Sequence, residues 1–317
     1  MTMHDRKIVV GTRGSQLALT QTRSFIHALQ GSSRGLQIEE RTMQTAGDLK
    51  QDTPRSQQSD KRDWIAELEE AVAAGQIDLA VHSGKDVPAL IHPSTTLIPV
   101  LERESPFDAF VAGARSAADW RSLARGALIG TASVRRAAQL RRLRPDLQIV
   151  EHRGNVPTRL EKLAKSEALD GIVLAQAGLS RLSLSAHVSG VFLAEELLPT
   201  VNQGTLVVQI RENDSELRQS LKALCHPATV AAFLAERSGI LGLQADCNSA
   251  VGMYAAVAGE ELRLRGRVLS HDGRRCVEAE RLGDYRRAAQ WGEEVTNELL
   301  SKGAREILAE GKSLRAL

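Results

Sequence analysis

The chain has 317 residues and carries 41 Lys and Arg against 39 Asp and Glu, a net charge of +2, with aromatic residues at only 3%. That balance excludes a globally basic nucleic-acid surface, the scarcity of aromatics excludes base-stacking platforms, and no apolar run reaches membrane-spanning length. The length calls for two or three domains, and the N-terminus lacks a signal-type apolar region.

In chain order, Ile8-Val9-Val10-Gly11 reads as a short buried strand. The turn Thr12-Arg13-Gly14-Ser15 follows, then a helix from about Gln16 to Leu29. Thr45 to Lys61 is polar and reads as a loop over a cleft. A helix carrying Ile65, Leu68 and Val72 comes next, then a strand that ends abruptly at His82-Ser83-Gly84-Lys85-Asp86-Val87-Pro88. Lys85 and Asp86 sit together at a strand's C-terminal end. As function, Lys85 suits a carboxylate and Asp86 suits proton movement; as structure, a Lys-Asp turn is ordinary surface chemistry.

Gly130 to Arg159 is the most informative stretch. It holds seven arginines (Arg135, Arg136, Arg141, Arg142, Arg144, Arg153, Arg159) against two acids, Asp146 and Glu151. Residues 126–130 read as a strand, and Ser133 is a good N-cap, which puts Arg135 and Arg136 in a first helical turn. Cations are normally avoided there, so the pair predicts an anion at that end. A strand over Leu147–Glu151 leads to Arg153-Gly154-Asn155, and another helix starts near Pro157. Two strand ends thus bring Arg135, Arg136, Arg153 and Arg159 to one rim, the ligand rim of an open α/β sheet. Arg141, Arg142 and Arg144, further along the helix, read as a solvated face.

The segments GTRGSQLALTQ from Gly11 and GTASVRRAAQL from Gly130 share strand, Gly-Thr, a cap-type Ser and helix. Ile77–Ser83 and Leu169–Ala175 repeat as well, each with an Asp before a buried strand. We read two similar α/β domains facing each other across a cleft. Leu198–Gly204 reads as a crossover, and the strand Thr205–Ile210 as a return to the first sheet. From about Cys225 the pattern changes: a helix over 228–241, a loop over 244–250, strands over 253–257, 262–269 and 276–281 with a turn at His271-Asp272-Gly273, and a helix carrying Trp291, Val295, Leu299 and Leu300. This is a small α+β domain with an antiparallel sheet.

Cys225, Cys247 and Cys276 are far apart and lack metal-ligand spacing, so no metal is expected, and reduced thiols in the cytoplasm are. Cys276 fits a small buried hydrophobe, and Cys225 lies in a linker. Cys247 sits in a loop beside Asp246 and Asn248, open enough to be used chemically, although nothing nearby lowers its pKa.

Taken together the motifs resemble the hydroxymethylbilane synthase, or porphobilinogen deaminase, family along nearly the whole chain. They are Thr12-Arg13-x-Ser15-x-Leu17-Ala18-Leu19 with Gln21, Gly47-Asp48 with Asp52-Thr53-Pro54, and Asp78-x-Ala80-Val81-His82-Ser83-x-Lys85-Asp86-Val87-Pro88. They continue with Gly130-Thr131-x-Ser133-x-Arg135-Arg136, Arg153-Gly154-Asn155-Val156-x-Thr158-Arg159, Leu174-Ala175-x-Ala177-Gly178-Leu179-x-Arg181, Gln203-Gly204, and Glu236-Arg237 ahead of Cys247.

The resemblance implies an α/β protein with two type II periplasmic-binding-protein-like domains, residues 1–103 with 201–222 and residues 104–200. A third α+β domain, residues 223–317, has a three-stranded antiparallel sheet. It implies a transferase that joins four porphobilinogen molecules head to tail with loss of ammonia. The primer would be a dipyrromethane cofactor, thioether-linked to Cys247. It further implies that Lys85, Thr131, Ser133, Arg135 and Arg136 hold the cofactor's acids. Arg13, Ser15, Arg153, Arg159 and Arg181 would hold the incoming substrate, and Asp86 would serve the reacting pyrrole N–H. A monomer is implied.

Some positions depart from the family's usual pattern: Ala245-Asp246 before the cysteine, Ser249-Ala250 after it, Arg62-Asp63 in the lid, Asn202 for a usual Gly and Gln209 for a usual Glu. The alternative is a divergent paralogue, or a non-catalytic two-lobed binding protein for pyrrole polycarboxylates; a simple binder needs neither Asp86 nor Cys247.

Overall fold

The computed structural model describes residues 7–33, 35–49, 61–114, 119–246 and 248–313. The first part of the chain forms β1 (Lys7–Arg13), α1 (Gln16–Ser32), β2 (Gln37–Met43), α2 (Ala46–Leu49), α3 (Ala66–Ala73), β3 (Leu79–Ser83) and β4 (Thr95–Val100). The middle forms β5 (Asp108–Ala112), β6 (Leu128–Gly130), α4 (Val134–Leu143), β7 (Gln148–Val150), α5 (Val156–Ala164), β8 (Gly171–Ala175), α6 (Gln176–Arg181) and β9 (Gly190–Val191). Then come β10 (Leu206–Arg211), α7 (Ser215–Leu221), α8 (Pro227–Leu243), β11 (Ala250–Ala258), β12 (Glu261–Leu269), β13 (Cys276–Asp284), α9 (Ala288–Ser301) and α10 (Ala304–Ser313).

The strands build two five-stranded sheets of the same plan, β2-β1-β3-β10-β4 and β7-β6-β8-β5-β9. In each sheet the first three strands are parallel, and the fourth, β10 or β5, runs antiparallel to both neighbours. The chain leaves the first sheet after β4 and returns to it at β10, as the sequence predicts. The repeat read from the sequence is built into the hydrogen bonds. Asp78 accepts from the Val9 amide at 2.8 Å, and Asp170 accepts from the Leu128 amide at 2.8 Å. Each carboxylate staples the strand next to its lobe's central one, β1 beside β3 and β6 beside β8, which sets Gly11 and Gly130 alongside those central strands.

The first lobe closes over Ile8, Val10, Phe25, Leu29, Leu79 and Val208, all buried. Phe25 and Leu29 on α1 are fully covered, and each such side chain contributes about 1.5–3 kcal/mol. The second lobe buries Phe110, Ile129, Leu140 and Val173 on one face of its sheet and Val111, Ile172 and Leu174 on the other. The third unit packs α8 and α9 on the antiparallel sheet β11-β12-β13. Gly292 lets these two helices touch, since a Cβ there would fall 2.4 Å from the Ala235 carbonyl oxygen. The sequence predicts one C-terminal helix; the structure has two, because Gly303 at φ 93 ends α9 and α10 restarts.

The lobes are held to the third unit by a buried ion pair. Arg103, between β4 and β5, meets Glu236 on α8 at 2.7 Å, and Glu236 also accepts from the amides of Asn202 and Ala255. Asn202 takes φ 58, a left-handed conformation that Asn tolerates better than other side chains, which is how this chain does without the usual Gly.

Candidate active site

Three of the turns that carry the candidate residues are built the same way: a strand ends, a short polar side chain caps the next helix, and charged side chains face the cleft. Ser15 caps α1 by accepting from Ala18, Ser133 caps α4 by accepting from Arg136, and Asn155 caps α5 by accepting from Thr158. Between them, the turn Gly84–Asp86 follows β3. A cavity of about 270 Å³ opens where these turns meet, lined by Arg13, Ser15, Trp64, Lys85, Asp86, Arg136, Arg153 and Arg159. Seven of the sequence-predicted residues therefore reach one space.

Ser133 and Arg135 do not line it. They face a larger neighbouring cavity of about 620 Å³, shared with Arg62, Asn202, Arg237, Ala245 and Asp246. Thr131 is buried and accepts from the Ser133 amide at 3.2 Å, so it shapes the mouth of α4 rather than the cavity wall. Arg181 is turned away, donating to the Gly204 carbonyl at 2.7 Å. Cys247, Asp52, Thr53 and Pro54 lie outside the described residues.

The anion that the Arg135-Arg136 pair predicts is supplied within the chain. It is Asp108, the first residue of β5, fully buried. Asp108 accepts from Arg135 Nη2 at 2.8 Å, from Arg136 Nε at 3.0 Å and Nη2 at 2.7 Å, and from Gln203 Nε2 at 2.9 Å. Burial alone would raise its pKa, but the two guanidiniums hold the carboxyl far below the usual range. One carboxylate against two guanidiniums leaves a net positive charge on the cleft wall. Sequence reasoning missed Asp108. Its one signal was an acid opening the apolar run Asp108-Ala-Phe-Val-Ala, which must be paired if that run is a buried strand.

Other charges are also partly spent. Arg13 donates to Asp48 at 2.5 and 3.3 Å and stacks 4.3 Å from the Trp64 ring centroid. Arg153 pairs with Glu151. Arg159 gives its Nε to the Gly154 carbonyl at 2.6 Å, and burial lowers its pKa to about 10, so it stays charged. The arginines read as a solvated face divide: Arg142 is exposed, but Arg144 chelates Asp146, and Arg141 donates to the His271 carbonyl of the third unit at 2.8 Å.

Lys85 and Asp86 differ from all of these. Among the described residues neither makes a hydrogen bond or ion pair to a side chain, and both line the smaller cavity. Burial pulls the Lys85 pKa from 10.5 to about 8, and the neighbouring Asp86 opposes that fall. A cation and a carboxylate left unspent at the meeting of two lobes are groups held ready for a ligand. Below them, His82 is kept neutral, with its pKa lowered by burial to about 4, and bonds Gln209 at 3.1 Å.

Residues 8–219 match the family model described as porphobilinogen deaminase, dipyromethane cofactor binding domain, and residues 230–301 match porphobilinogen deaminase, C-terminal domain. The chain belongs to the porphobilinogen deaminase family. It is a transferase with hydroxymethylbilane synthase activity in tetrapyrrole biosynthesis, and its first two lobes form the dipyrromethane-binding part. Among solved structures it is similar to the Bordetella pertussis BvgS VFT2 domain (double mutant F375E/Q461E) at 16% identity and TM-score 0.43, over 70% of this chain and 88% of that one. It is also similar to the methionine binding protein MetQ (15%, TM-score 0.43, 69% and 89%) and to the Escherichia coli aliphatic sulphonate binding protein SsuA (14%, TM-score 0.39, 75% and 70%). Likenesses at this level identify no ligand.

Proposed function

We propose that the smaller cavity is where porphobilinogen is deaminated and joined to the growing chain, and that Asp86 is its catalytic residue. The observation that carries this reading is the unspent Lys85-Asp86 pair at the seam of the two lobes. Porphobilinogen carries acetate and propionate groups, so Arg13, Ser15, Arg153 and Arg159 suit the incoming molecule, with bidentate guanidinium geometry where donors remain. Arg181 acts indirectly in this reading, by fixing Gly204 beside the crossover.

The residues present fit a dipyrromethane. Among the described residues, Arg135 Nε is buried beside the larger cavity without a partner, and the Lys85 ammonium has no carboxylate bonded to it. Lys85, Ser133, Arg135 and Arg136 would hold its acids, with Thr131 supporting the turn and Cys247 as the covalent anchor. The two described cysteines support that choice, since burial raises the thiol pKa of both Cys225 and Cys276 and makes them poor nucleophiles. When bound, the group supplies the nucleophilic pyrrole carbon on which the chain grows. As ammonia leaves porphobilinogen, positive charge develops on its pyrrole nitrogen. The Asp86 carboxylate stabilises that charge through the N–H and then takes up the proton released when aromaticity is restored. Lys85 and the arginines keep the carboxylates still while this happens.

The domain boundaries that go with this reading are 1–103 with 201–222, 104–200, and 223–317; all fall between strands. We infer a monomer working in the cytoplasm, in keeping with two free cysteines. Among the described residues no helix is long and apolar enough to cross a membrane. Asp86→Asn tests the reading: single-turnover rates should fall by about 10²–10⁴ with little change in substrate affinity. Turnover at the wild-type rate would remove Asp86 from the chemistry.

A further inference from the structure

The loop over 244–250 carries unusual residues on both sides of Cys247, and the structure gives them a common use. Asp246 Oδ1 accepts from the Asn248 amide at 3.0 Å and from Ser249 Oγ at 2.8 Å, and Ser249 Oγ accepts in turn from the Asp246 amide at 3.2 Å. Residues 246 and 249 are thus tied to each other twice. The far end of the loop is held from outside. His271, in the turn between β12 and β13, lies with Nε2 2.9 Å from the Asn248 carbonyl oxygen. A carbonyl only accepts, so Nε2 carries the hydrogen and donates it. The ring has room because Gly311 on α10 lacks a side chain: a Cβ there would fall 3.0 Å from that same nitrogen.

The same turn is seated on the second lobe. Gly273 takes φ 77, and a Cβ there would fall 2.4 Å from the Ala138 carbonyl oxygen on α4. Arg141, also on α4, donates to the His271 carbonyl at 2.8 Å, a charge-assisted bond. Val134 and Ala138 of α4 share a small core with Ala250 and Leu269. α4 is the helix whose mouth presents Ser133, Arg135 and Arg136. His271 therefore stands in two contacts at once: its ring holds the loop, and its backbone is held by α4. At its other end the loop leaves α8, which reaches the first lobe where Arg237 donates to the Pro88 and Ala89 carbonyls at 3.1 and 2.8 Å.

We propose that His271 is a positioning residue for cofactor attachment: by holding the Asn248 carbonyl it registers the anchor loop against the mouth of α4. The attachment point and the groups that take the primer's acids then belong to one frame. Asp246 and Ser249 keep the turn compact within it. His271 acts through the Asn248 backbone and not on the reacting atoms. This rests on the transferase reading above. It also gives a use to residues that the sequence alone presents as a surface turn, His271-Asp272-Gly273, and a solvated arginine, Arg141.

The test uses the full chain made in cells that lack porphobilinogen, as wild type, His271→Ala and His271→Gln. Amide hydrogen exchange of the peptide covering 246–250 reads the clamp. The rate at which added porphobilinogen builds the two-unit primer, followed by intact mass, reads its use. His271→Ala should speed exchange and slow primer attachment, each about two- to tenfold, the loss expected for one hydrogen bond. Glutamine places an amide donor near the position of Nε2, so His271→Gln should restore most of both. Both variants should melt within about 4 °C of the wild type, which separates a misplaced loop from an unfolded chain. Wild-type exchange in His271→Ala overturns the clamp, and faster exchange with wild-type primer attachment overturns the positioning role. Equal loss in His271→Gln and His271→Ala would assign the effect to ring packing, and overturns the proposal as well. If the wild-type chain takes up no pyrrole units while exchange responds as described, the transferase reading fails and the positioning role falls with it.

Discussion

Asp108→Asn is the substitution that most sharply probes how the cleft is built. The carboxylate is fully buried and accepts four hydrogen bonds, three of them from Arg135 and Arg136. An amide keeps the shape but removes the charge, and its NH₂ must face a guanidinium that also only donates. Two buried cations are then left against each other. Removing one partner of a buried ion pair costs about 3–5 kcal/mol. At about 2–4 °C per kcal/mol for a unit of this size, the melting temperature should drop by about 6–20 °C. Thermal melts followed by circular dichroism read this directly. Pairing Asp108→Asn with Arg135→Met should recover part of the loss, because the second change removes one of the orphaned charges. A polycarboxylate should also raise the melting temperature of Asp108→Asn more than that of the wild type, since the freed guanidiniums now seek an outside anion. A drop under about 2 °C, within what an ordinary surface substitution produces, would refute the reasoning that Asp108 is the anion these arginines are built around.

Lys85 yields a pH prediction. Its folded pKa is about 8 against an ordinary 10.5, so between those values the unfolded chain holds a proton that the folded chain has lost. Stability therefore rises with pH through that window, and at about 1.4 kcal/mol per pH unit the gain is at most about 3 kcal/mol. In Lys85→Met that rise disappears from the urea-unfolding profile; an unchanged profile would show that the ammonium is not desolvated. Loading the cofactor should narrow that window, because its carboxylates would hold the Lys85 proton, and identical profiles with and without the cofactor would exclude a role for Lys85 in holding them. Gly204 takes φ 87, and a Cβ would fall 2.1 Å from the Glu104 carbonyl oxygen. Gly204→Ala should therefore cost more than 1 kcal/mol and loosen Arg181, whose guanidinium is anchored on the Gly204 carbonyl; wild-type stability would mean that the crossover can relax.

What the sequence makes legible here is local. Ser133 before Arg135 and Arg136 announces a capped helix mouth. The Asp78 and Asp170 positions announce a repeat, and both turn out to staple the strand beside the central one. The rim of strand ends follows from those turns, and so does the company of Lys85, Asp86, Arg153 and Arg159. What stays hidden is pairing across the sheet. Asp108 lies 27 residues before Arg135 and reaches it only because β5 inserts antiparallel beside β8, a register that no local pattern encodes. Edge strand β2, Gln-Ile-Glu-Glu-Arg-Thr-Met, lacks the apolar alternation that marks a half-buried strand, so it left no trace either. Arg181 shows the limit from the other side: the motif is intact, but its guanidinium is used by the backbone of the crossover. Residue type was readable; which charges are already spent was not.

In the proposed reaction the cleft works on a chain anchored at Cys247. The most direct measurement is the intact mass of the protein purified from cells that make porphobilinogen, beside Cys247→Ser from the same cells. The expected result is a wild-type mass in excess by two linked pyrrole units and an unmodified variant. An unmodified wild type, or an excess that survives Cys247→Ser, would contradict it.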